Sequence, residues 1–365
     1  MNFAGFARYC LAWVCIGIIV ISACAPTPHN SYIDNPLGSL YIPPADATLT
    51  PTPFQPLPVT PIFLPTDYPT PDPNFVGADP GSIFGLTNTW DPYPGPSVYP
   101  PIEIPPPMPL FSKPADQVNI LVMGSDQRPY DGGFRTDVLL LITLNPADSS
   151  VRITSFPRDL FVYIPGWTMQ RINTTQARGG IDSTALMLEY NFGVRPDHWV
   201  LINFSGFISV IDGLGGIEVQ VAQTLTDWRD GYGDHTVNAG SVHMDGDTAL
   251  WYVRSRGTTN DFDRTRRQQE VLQAIFFRVI SLDGVTRAPE LYAQYQTAMQ
   301  TDMAIEDILP LLPLATQIAA NQNILRFTIG PAQISDWTNP FNGAQVLLPD
   351  QVAISELMQQ ALNSP

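Results

Sequence analysis

From residue 117 onward, apolar positions fall in short blocks separated by polar or glycine-containing turns. Residues 117–123 (QVNILVM) form a β-rich run that stops at Gly124, and 138–144 (VLLLITL) form a second. The second run is continuously apolar and does not alternate, which predicts a strand covered on both faces. Residues 151–156 predict a third strand, and 199–204, 217–221, 324–329 and 345–348 predict further ones. Between them, 183–190, 207–214, 289–299 and 305–320 read as helices. Asp245 is placed as the N-cap of another helix through Val253, because its carboxylate can accept a free amide of the first turn. The longest predicted helix, 264–281, carries apolar residues at 271, 272, 275, 276, 279 and 280, one helical stripe. Strands alternating with helices predict an α/β domain with a largely internal sheet over 113–365.

The first 112 residues follow neither period. Residues 9–25 are an apolar run with Arg8 before it and Ile21-Ser22-Ala23-Cys24 near its end. That small-residue site resembles a bacterial lipobox, in which the cysteine carries the lipid. Residues 1–24 are therefore expected to be a lipoprotein-type signal and anchor, with Cys24 as the lipid attachment point. An uncleaved membrane anchor is the alternative, and about 17 apolar residues is the lower limit for a span. Either reading exports the remainder of the chain. Residues 25–110 hold 24 of the 37 prolines and neither Lys nor Arg. Proline donates no backbone hydrogen bond and pushes its predecessor toward extended geometry. Residues 25–112 are thus expected to be a disordered, extended, proline-rich linker. Its aromatic residues leave room for docking onto the folded domain.

Charge narrows the function. The net charge is −16, with 17 Arg and one Lys against 34 acidic residues, which excludes a generic nucleic-acid coat. Cys10, Cys15 and Cys24 are the only cysteines, so the domain has no disulfide, thiolate zinc site or thiol nucleophile. His29, His198, His235 and His243 lack metal-ligand spacing. Arginine instead gathers beside aspartate at predicted strand ends: Ser125-Asp126-Gln127-Arg128, Arg135-Thr136-Asp137, Arg158-Asp159, and 254–268 (RSRGTTNDFDRTRRQ). Guanidinium forks match phosphate oxygens in pairs and keep their charge when buried. Neighbouring carboxylates suit a hard cation such as Mg²⁺, which favours one or two carboxylates plus substrate phosphates. The pattern points to phosphoryl transfer by positioning and charge neutralisation. Structural ion pairs and a solvated helix face are the plain alternative for any one cluster.

The ordered set ILVMGSDQR, RTDVLLLITLNP, ITSFPRDLFV, RIN, VLINFSGF, VIDGLGGIEV, MDGDTALWYVRSR and DFDRTRRQQ resembles the LytR-CpsA-Psr family over about 117–280. The resemblance implies a single domain with a central mixed β-sheet flanked by helices. It also implies a membrane-anchored, extracytoplasmic phosphotransferase. Such enzymes move a glycopolymer from a polyprenyl-pyrophosphate carrier to a peptidoglycan hydroxyl, with Mg²⁺ at the pyrophosphate and the lipid in an apolar pocket. Carried over motif by motif, Asp126 and Asp137 would hold Mg²⁺. Arg135, Arg158, Arg254 and Arg256 would clamp the pyrophosphate, and Arg264 and Gln268 would complete its contacts. Asp261 would take the acceptor proton, while Asp159 and Arg267 would support the site.

The chain departs from the family pattern in places. Asp263 stands where the family usually has Gly, so the base is left between Asp261 and Asp263. Arg171 and Thr174-Thr175 replace the usual Lys and Ala-Ala, and a lipobox replaces a transmembrane helix. The segment with Phe204, Phe207, Val210, Ile211 and Leu214 reads as core, with a lipid-pocket lining as the alternative. Gly213, Gly215 and Gly216 read as cap and turn glycines. Two other functions share these residues: hydrolysis of the same pyrophosphate lipid, and non-catalytic binding of an anionic polymer or lipid. Only an acceptor assay separates the first from transfer.

Overall fold

The computed structural model describes residues 93–127, 134–282 and 288–362. The signal segment with Cys24, the linker up to residue 92, and Arg128 lie outside the described residues. The chain begins with β1 (Val118–Ser125), β2 (Thr136–Asn145), β3 (Ser150–Ser155), β4 (Phe161–Tyr163) and β5 (Met169–Arg171). Helix α1 (Thr175–Phe192), β6 (His198–Asn203) and α2 (Phe204–Gly213) follow. Next come β7 (Ile217–Val221), β8 (Leu225–Arg229), β9 (Gly233–Val237), β10 (Gly240–Met244), α3 (Gly246–Arg254) and α4 (Asp261–Ser281). The chain continues through α5 (Ala288–Tyr295), β11 (Met299–Thr301), α6 (Ile305–Ile308), α7 (Leu312–Asn321) and β12 (Ile324–Thr328). It closes with β13 (Ile334–Thr338), β14 (Gln345–Pro349) and α8 (Gln351–Leu362).

Six strands form the central sheet in the order β11-β6-β1-β2-β3-β12. β1–β2, β2–β3 and β6–β11 pair antiparallel, whereas β1–β6 and β3–β12 pair parallel, so the sheet is mixed as expected. The continuous apolar run of β2 has a direct cause. Leu139 and Leu141 enter one core with Leu121, Met123, Leu188, Phe192 and Met358. Leu140 points to the opposite face, against Leu314, Ile318, Leu272 and Phe276. A third core, built on Ile217, Val219, Tyr252 and Val271, joins α3 and α4 to β7. Ile211, Leu214 and Phe207 belong to the cores or pack on them, the packing reading of that segment. Gly215 and Gly216 both adopt positive φ in the turn before β7.

Element boundaries moved where local chemistry was missed. The helix predicted over 305–320 is divided into α6, a 3₁₀ turn at Leu309–Leu311, and α7. Pro310 and Pro313 each remove an amide donor there. Helix α4 starts three residues before the predicted 264, because the Asn260 side chain caps it by accepting the Asp263 amide at 2.9 Å. The Asp245 cap is present, its carboxylate accepting the Thr248 amide at 2.8 Å.

Residues 93–112, which proline content assigned to the linker, pack onto the domain. Met108 is buried, and its amide donates to the Tyr190 carbonyl at 2.7 Å. The Val98 and Phe111 amides donate to the carbonyls of Trp167 and Gly193, each at 3.0 Å. The Tyr163 and Tyr190 hydroxyls donate to the carbonyls of Pro94 and Pro105 at 2.7 and 2.8 Å. Tyr93 meets Tyr190 edge-on at 5.0 Å and donates to Glu189 at 3.1 Å. Burial, then the nearby Glu189 charge, pushes the Tyr93 hydroxyl up to about 12. Prolines suit such a strap: they have no amide to satisfy, and their carbonyls remain free to accept from tyrosines. The folded unit therefore reaches back at least to Tyr93 and not only to 113.

Truncating Met108 tests the strap. Met108→Ala should cost about 2–5 kcal/mol, as for other buried methionines, read as a lower urea midpoint with an unchanged slope. A chain beginning at 113 should melt below one beginning at 93.

Candidate functional site

The site gathers where β1, β2 and β3 end. The β1–β2 register pairs Gly124 with Val138 but Ser125 with Thr136, so Asp137 is an extra, bulged residue. Bulges re-aim side chains at strand ends. Beyond the bulge, Asp126 and Arg135 close the ladder. The Asp126 amide donates to the Arg135 carbonyl at 3.1 Å, and the Asp126 carboxylate accepts the Arg135 amide at 2.6 Å. Arg158 and Asp159 follow β3, and β4–β5 folds back to bring Arg171 and Asn173 beside them. Helix α4 supplies Asp261 and Arg264 from its first turn, and the loop before it supplies Arg256.

These side chains form one continuous network. Arg158 Nη1 donates to Asp137 Oδ2 at 3.0 Å, and Asn173 Nδ2 donates to Asp137 Oδ1 at 3.1 Å. Arg158 Nε lies 3.3 Å from Asp159 Oδ2 and 3.6 Å from Asp261 Oδ2. Arg264 donates to Asp261 Oδ2 at 2.8 Å, and Arg256 lies 3.8 Å from Asp261 Oδ1. Arg171 Nε lies 3.3 Å from Asp159 Oδ1. Burial lowers the Arg158 pKa, but the charges of Asp137, Asp159 and Asp261 outweigh it and the net shift is upward. For Arg264, burial dominates and the net shift is downward. Arginine stays protonated in either case. The buried Nε atoms of Arg158, Arg171 and Arg264 have no aligned hydrogen-bond acceptor among the described residues. Two of them still lie beside carboxylate oxygens, Arg158 Nε by Asp159 and Asp261 and Arg171 Nε by Asp159, as ion pairs without a well-directed bond.

The residues singled out from sequence do not all converge. Asp137, Arg158, Arg256, Asp261 and Arg264 do. Arg254 is exposed and lies over the Phe204 ring at 4.2 Å, outside the ion-pair network. Arg135 is exposed, and the contacts that place it are those of its backbone. Gln268 lies one turn beyond Arg264 on α4, its amide 3.5 Å from the Val253 carbonyl. Asp263 turns to another network. It pairs with Arg266 at 2.6 Å; Arg266 also pairs with Glu270, which accepts the Tyr252 hydroxyl at 2.7 Å. Helical geometry explains the separation: residues 261, 264 and 268 share a face, while 263, 266 and 270 share another. Arg267 is fully buried and donates to the carbonyls of Tyr252 and Ser255 and to Thr259 Oγ1. Arg171 and Asn173 were missed as site residues. The RIN motif was the available signal, but only the β4–β5 return places it beside Asp159.

Among the described residues, no group of three or more His, Cys, Asp or Glu is arranged to hold a metal. The carboxylates still fit a Mg²⁺-type ion. Each Asp137 oxygen accepts one bond and Asp126 Oδ1 accepts one, so lone pairs remain on both groups. Mg²⁺ needs only one or two such groups beside waters and phosphate.

An apolar cavity of about 270 Å³ opens on the sheet face away from α8, lined by Ile142, Leu144, Leu272, Phe276, Leu314 and Ile318 among others. Two elements connect it with the charged cluster. β2 runs from Asp137 to Leu144, and α4 runs from Arg264 to Phe276. Leu272 lies about 12 Å along the helix from Arg264, at 1.5 Å per residue.

A model of the LytR_cpsA_psr family matches residues 103–363. The polyisoprenyl-teichoic acid–peptidoglycan teichoic acid transferase TagU of Bacillus cereus is 31% identical over 200 residues, 54% of this chain and 64% of the relative. The aligned stretch thus spans just under two thirds of that relative's length. Among solved structures, B. subtilis TagV matches at 26% identity with a TM-score of 0.59, over 68% of this chain and 98% of TagV. TagT bound to LIIa-WTA matches at 26% identity with a TM-score of 0.56, over 68% of this chain and 91% of TagT.

Replacing the buried Arg267 by Met should leave the Tyr252 and Ser255 carbonyls unsatisfied. The expected loss of stability is about 2–5 kcal/mol, measured by urea unfolding. Asp263→Asn, with its partner Arg266 still held by Glu270, should cost less.

Proposed function

The chain belongs to the LytR_cpsA_psr family, and from its site we propose that it transfers a glycopolymer phosphate from a polyprenyl-pyrophosphate carrier to a peptidoglycan hydroxyl. The observation that carries this reading is the shared course of β2 and α4 from an arginine cluster to an apolar cavity. That layout matches an amphiphile with a pyrophosphate head and an isoprenoid tail. The names of the relatives agree: TagU is a polyisoprenyl-teichoic acid–peptidoglycan transferase, and the TagT structure holds LIIa-WTA.

In this reading the isoprenoid tail enters the cavity between the sheet and α4. Arg158 and Arg264, both largely buried, meet the pyrophosphate at fixed positions, with Arg254, Arg256, Arg135 and Gln268 closing over it from the more exposed side. The acceptor hydroxyl attacks the glycan-bearing phosphorus. Its oxygen forms the new phosphoester bond, the bridging P–O bond breaks, and polyprenyl phosphate leaves. Asp261 takes the hydroxyl proton. It is preferred to Asp263 because it sits between Arg158, Arg256 and Arg264, whereas Asp263 is engaged with Arg266. The arginines neutralise charge that moves onto the leaving phosphate, in a site where burial strengthens each interaction. Asp126 and Asp137 would hold Mg²⁺, whose chemistry there is to neutralise pyrophosphate oxygens.

The proposal places the domain on the outer face of the membrane, tethered through Cys24 and the proline-rich linker. Among the described residues, no helix is long and apolar enough to cross a membrane. Attachment is assigned to residues 1–24 on the strength of their apolar run and the lipobox-like Ile21-Ser22-Ala23-Cys24.

The test incubates the full chain with Mg²⁺, a short-chain polyprenyl-pyrophosphate glycan and peptidoglycan fragments, with products read by mass spectrometry. A glycan–phosphate–peptidoglycan adduct is expected. Asp261→Asn should slow its formation by about 10²–10⁴-fold, the usual range for loss of a general base. Arg158→Ala should abolish it, and Asp263→Asn should keep it within about threefold, since a base off the reacting face contributes little. Free glycan phosphate formed equally well without acceptor would overturn transfer in favour of hydrolysis.

A further inference from the structure

Arg254 and Arg256 sit at the end of α3 and in the irregular loop that joins it to α4. Nothing in regular secondary structure holds the segment 255–260, yet the proposed function needs its one arginine, Arg256, at a defined position. Two buried groups of opposite charge grip it from opposite sides. From α4, Arg267 donates to the Ser255 carbonyl and to Thr259 Oγ1. From β8, the buried Asp227 carboxylate accepts the Ser255 hydroxyl and, at 2.7 Å, the Gly257 amide. Its other oxygen accepts the Trp228 amide at 2.8 Å. Thr258 Oγ1 adds a bond at 2.6 Å to the Thr226 carbonyl on the same strand.

The sequence on both strands accommodates this contact. β8 alternates buried and exposed positions, so Asp227 faces inward between Leu225 and Arg229. The strand pairs antiparallel with β9 from Leu225 to Arg229. On the loop side, a Cβ at residue 257 would stand 2.4 Å from Asp227 Oδ1, so the close approach requires glycine there.

We infer that Asp227 is a positioning residue for the anion site: it sets the course of the 255–257 loop and through it the placement of Arg256. The inference rests on the proposed pyrophosphate role of that arginine. A simple structural carboxylate could sit anywhere along β8. This one is bonded to residues 255 and 257, on both sides of Arg256. Burial raises the Asp227 pKa, but bonds from Ser255 and the amides of Gly257, Trp228 and Arg256 outweigh it and the net shift is downward. A depressed folded-state pKa means the grip is fully present above about pH 4, the unfolded value, and is lost as pH falls through the folded pKa.

The test uses sodium pyrophosphate with Mg²⁺ as the probe and titration calorimetry on the full chain, with transfer assayed in parallel. Calorimetry separates two effects. A merely structural lesion lowers the number of sites per chain, whereas a misplaced Arg256 raises Kd at unchanged stoichiometry. Asp227→Asn retains the shape but turns one acceptor into a donor facing the Gly257 amide. Gly257→Ala pushes the carboxylate away from the loop side, and it keeps the inference open to test if the first variant folds poorly. Each should raise Kd at least fivefold with one site per chain, and the double variant should be no more than twofold worse than the weaker single, since both break one contact. Kd within twofold of wild type for either folded variant, or full multiplication of the two effects, would overturn the inference. Wild-type protein that binds no pyrophosphate overturns both this inference and the proposed function. Wild-type protein that binds it but makes no adduct, with Kd raised in both variants, overturns the transferase reading alone.

Discussion

Arg158 holds the site together. Its guanidinium faces carboxylates from three separate parts of the chain: Asp137 from the β2 bulge, Asp159 beside it, and Asp261 at the start of α4. A largely buried cation without partners costs several kcal/mol. The strand ends and the helix must therefore arrive together for the fold to close. The same requirement brings in Arg171, Arg256 and Arg264, because three adjacent carboxylates need counter-charge of their own. Four arginines against three aspartates leave the network one positive charge in excess, and three of its buried Nε donors lack an aligned acceptor. That excess positive charge is what the proposed function assigns to the pyrophosphate.

The second constraint is direction. β2 and α4 are each charged at one end and apolar toward the other, and they run side by side in that sense across one face of the sheet. The face opposite is filled by α1 and α8 and by the Met108 strap. The strap and α8 complete one core, and the apolar cavity lies on the other side of β2, lined by residues of α4 and α7.

Much of the fold was legible in local pattern. The continuous apolar run of β2, the stripe along α4 and the Asp245 cap all follow from spacing and from the chemistry of free amides. The aspartate and arginine clusters were also visible, because an acidic chain with 17 Arg and one Lys concentrates the arginines beside aspartates at strand ends. The separation of Asp261 from Asp263 was legible in principle. Once Asn260 is recognised as the cap, helical periodicity alone puts Asp263 with Arg266 and Glu270. Proline content misled for 93–112, since a segment poor in amide donors can still be bound through the amides it keeps, its carbonyls and its side chains.

The sequence by itself determined the α/β class, the family pattern, and the residue types able to bind a pyrophosphate. These depend on local periodicity, capping and side-chain chemistry, which act over a few residues. Only the tertiary structure decided which charges meet. Arg171 and Asn173 reach Asp159 and Asp137 through the β4–β5 return. Asp227 grips residues 255 and 257 across a separation of about thirty positions, and Arg254 stays outside the network over Phe204. The physical reason is that an ion pair acts over a few ångströms and is blind to chain distance, so the pairing of these groups becomes defined only when the sheet and its helices bring the strand ends together.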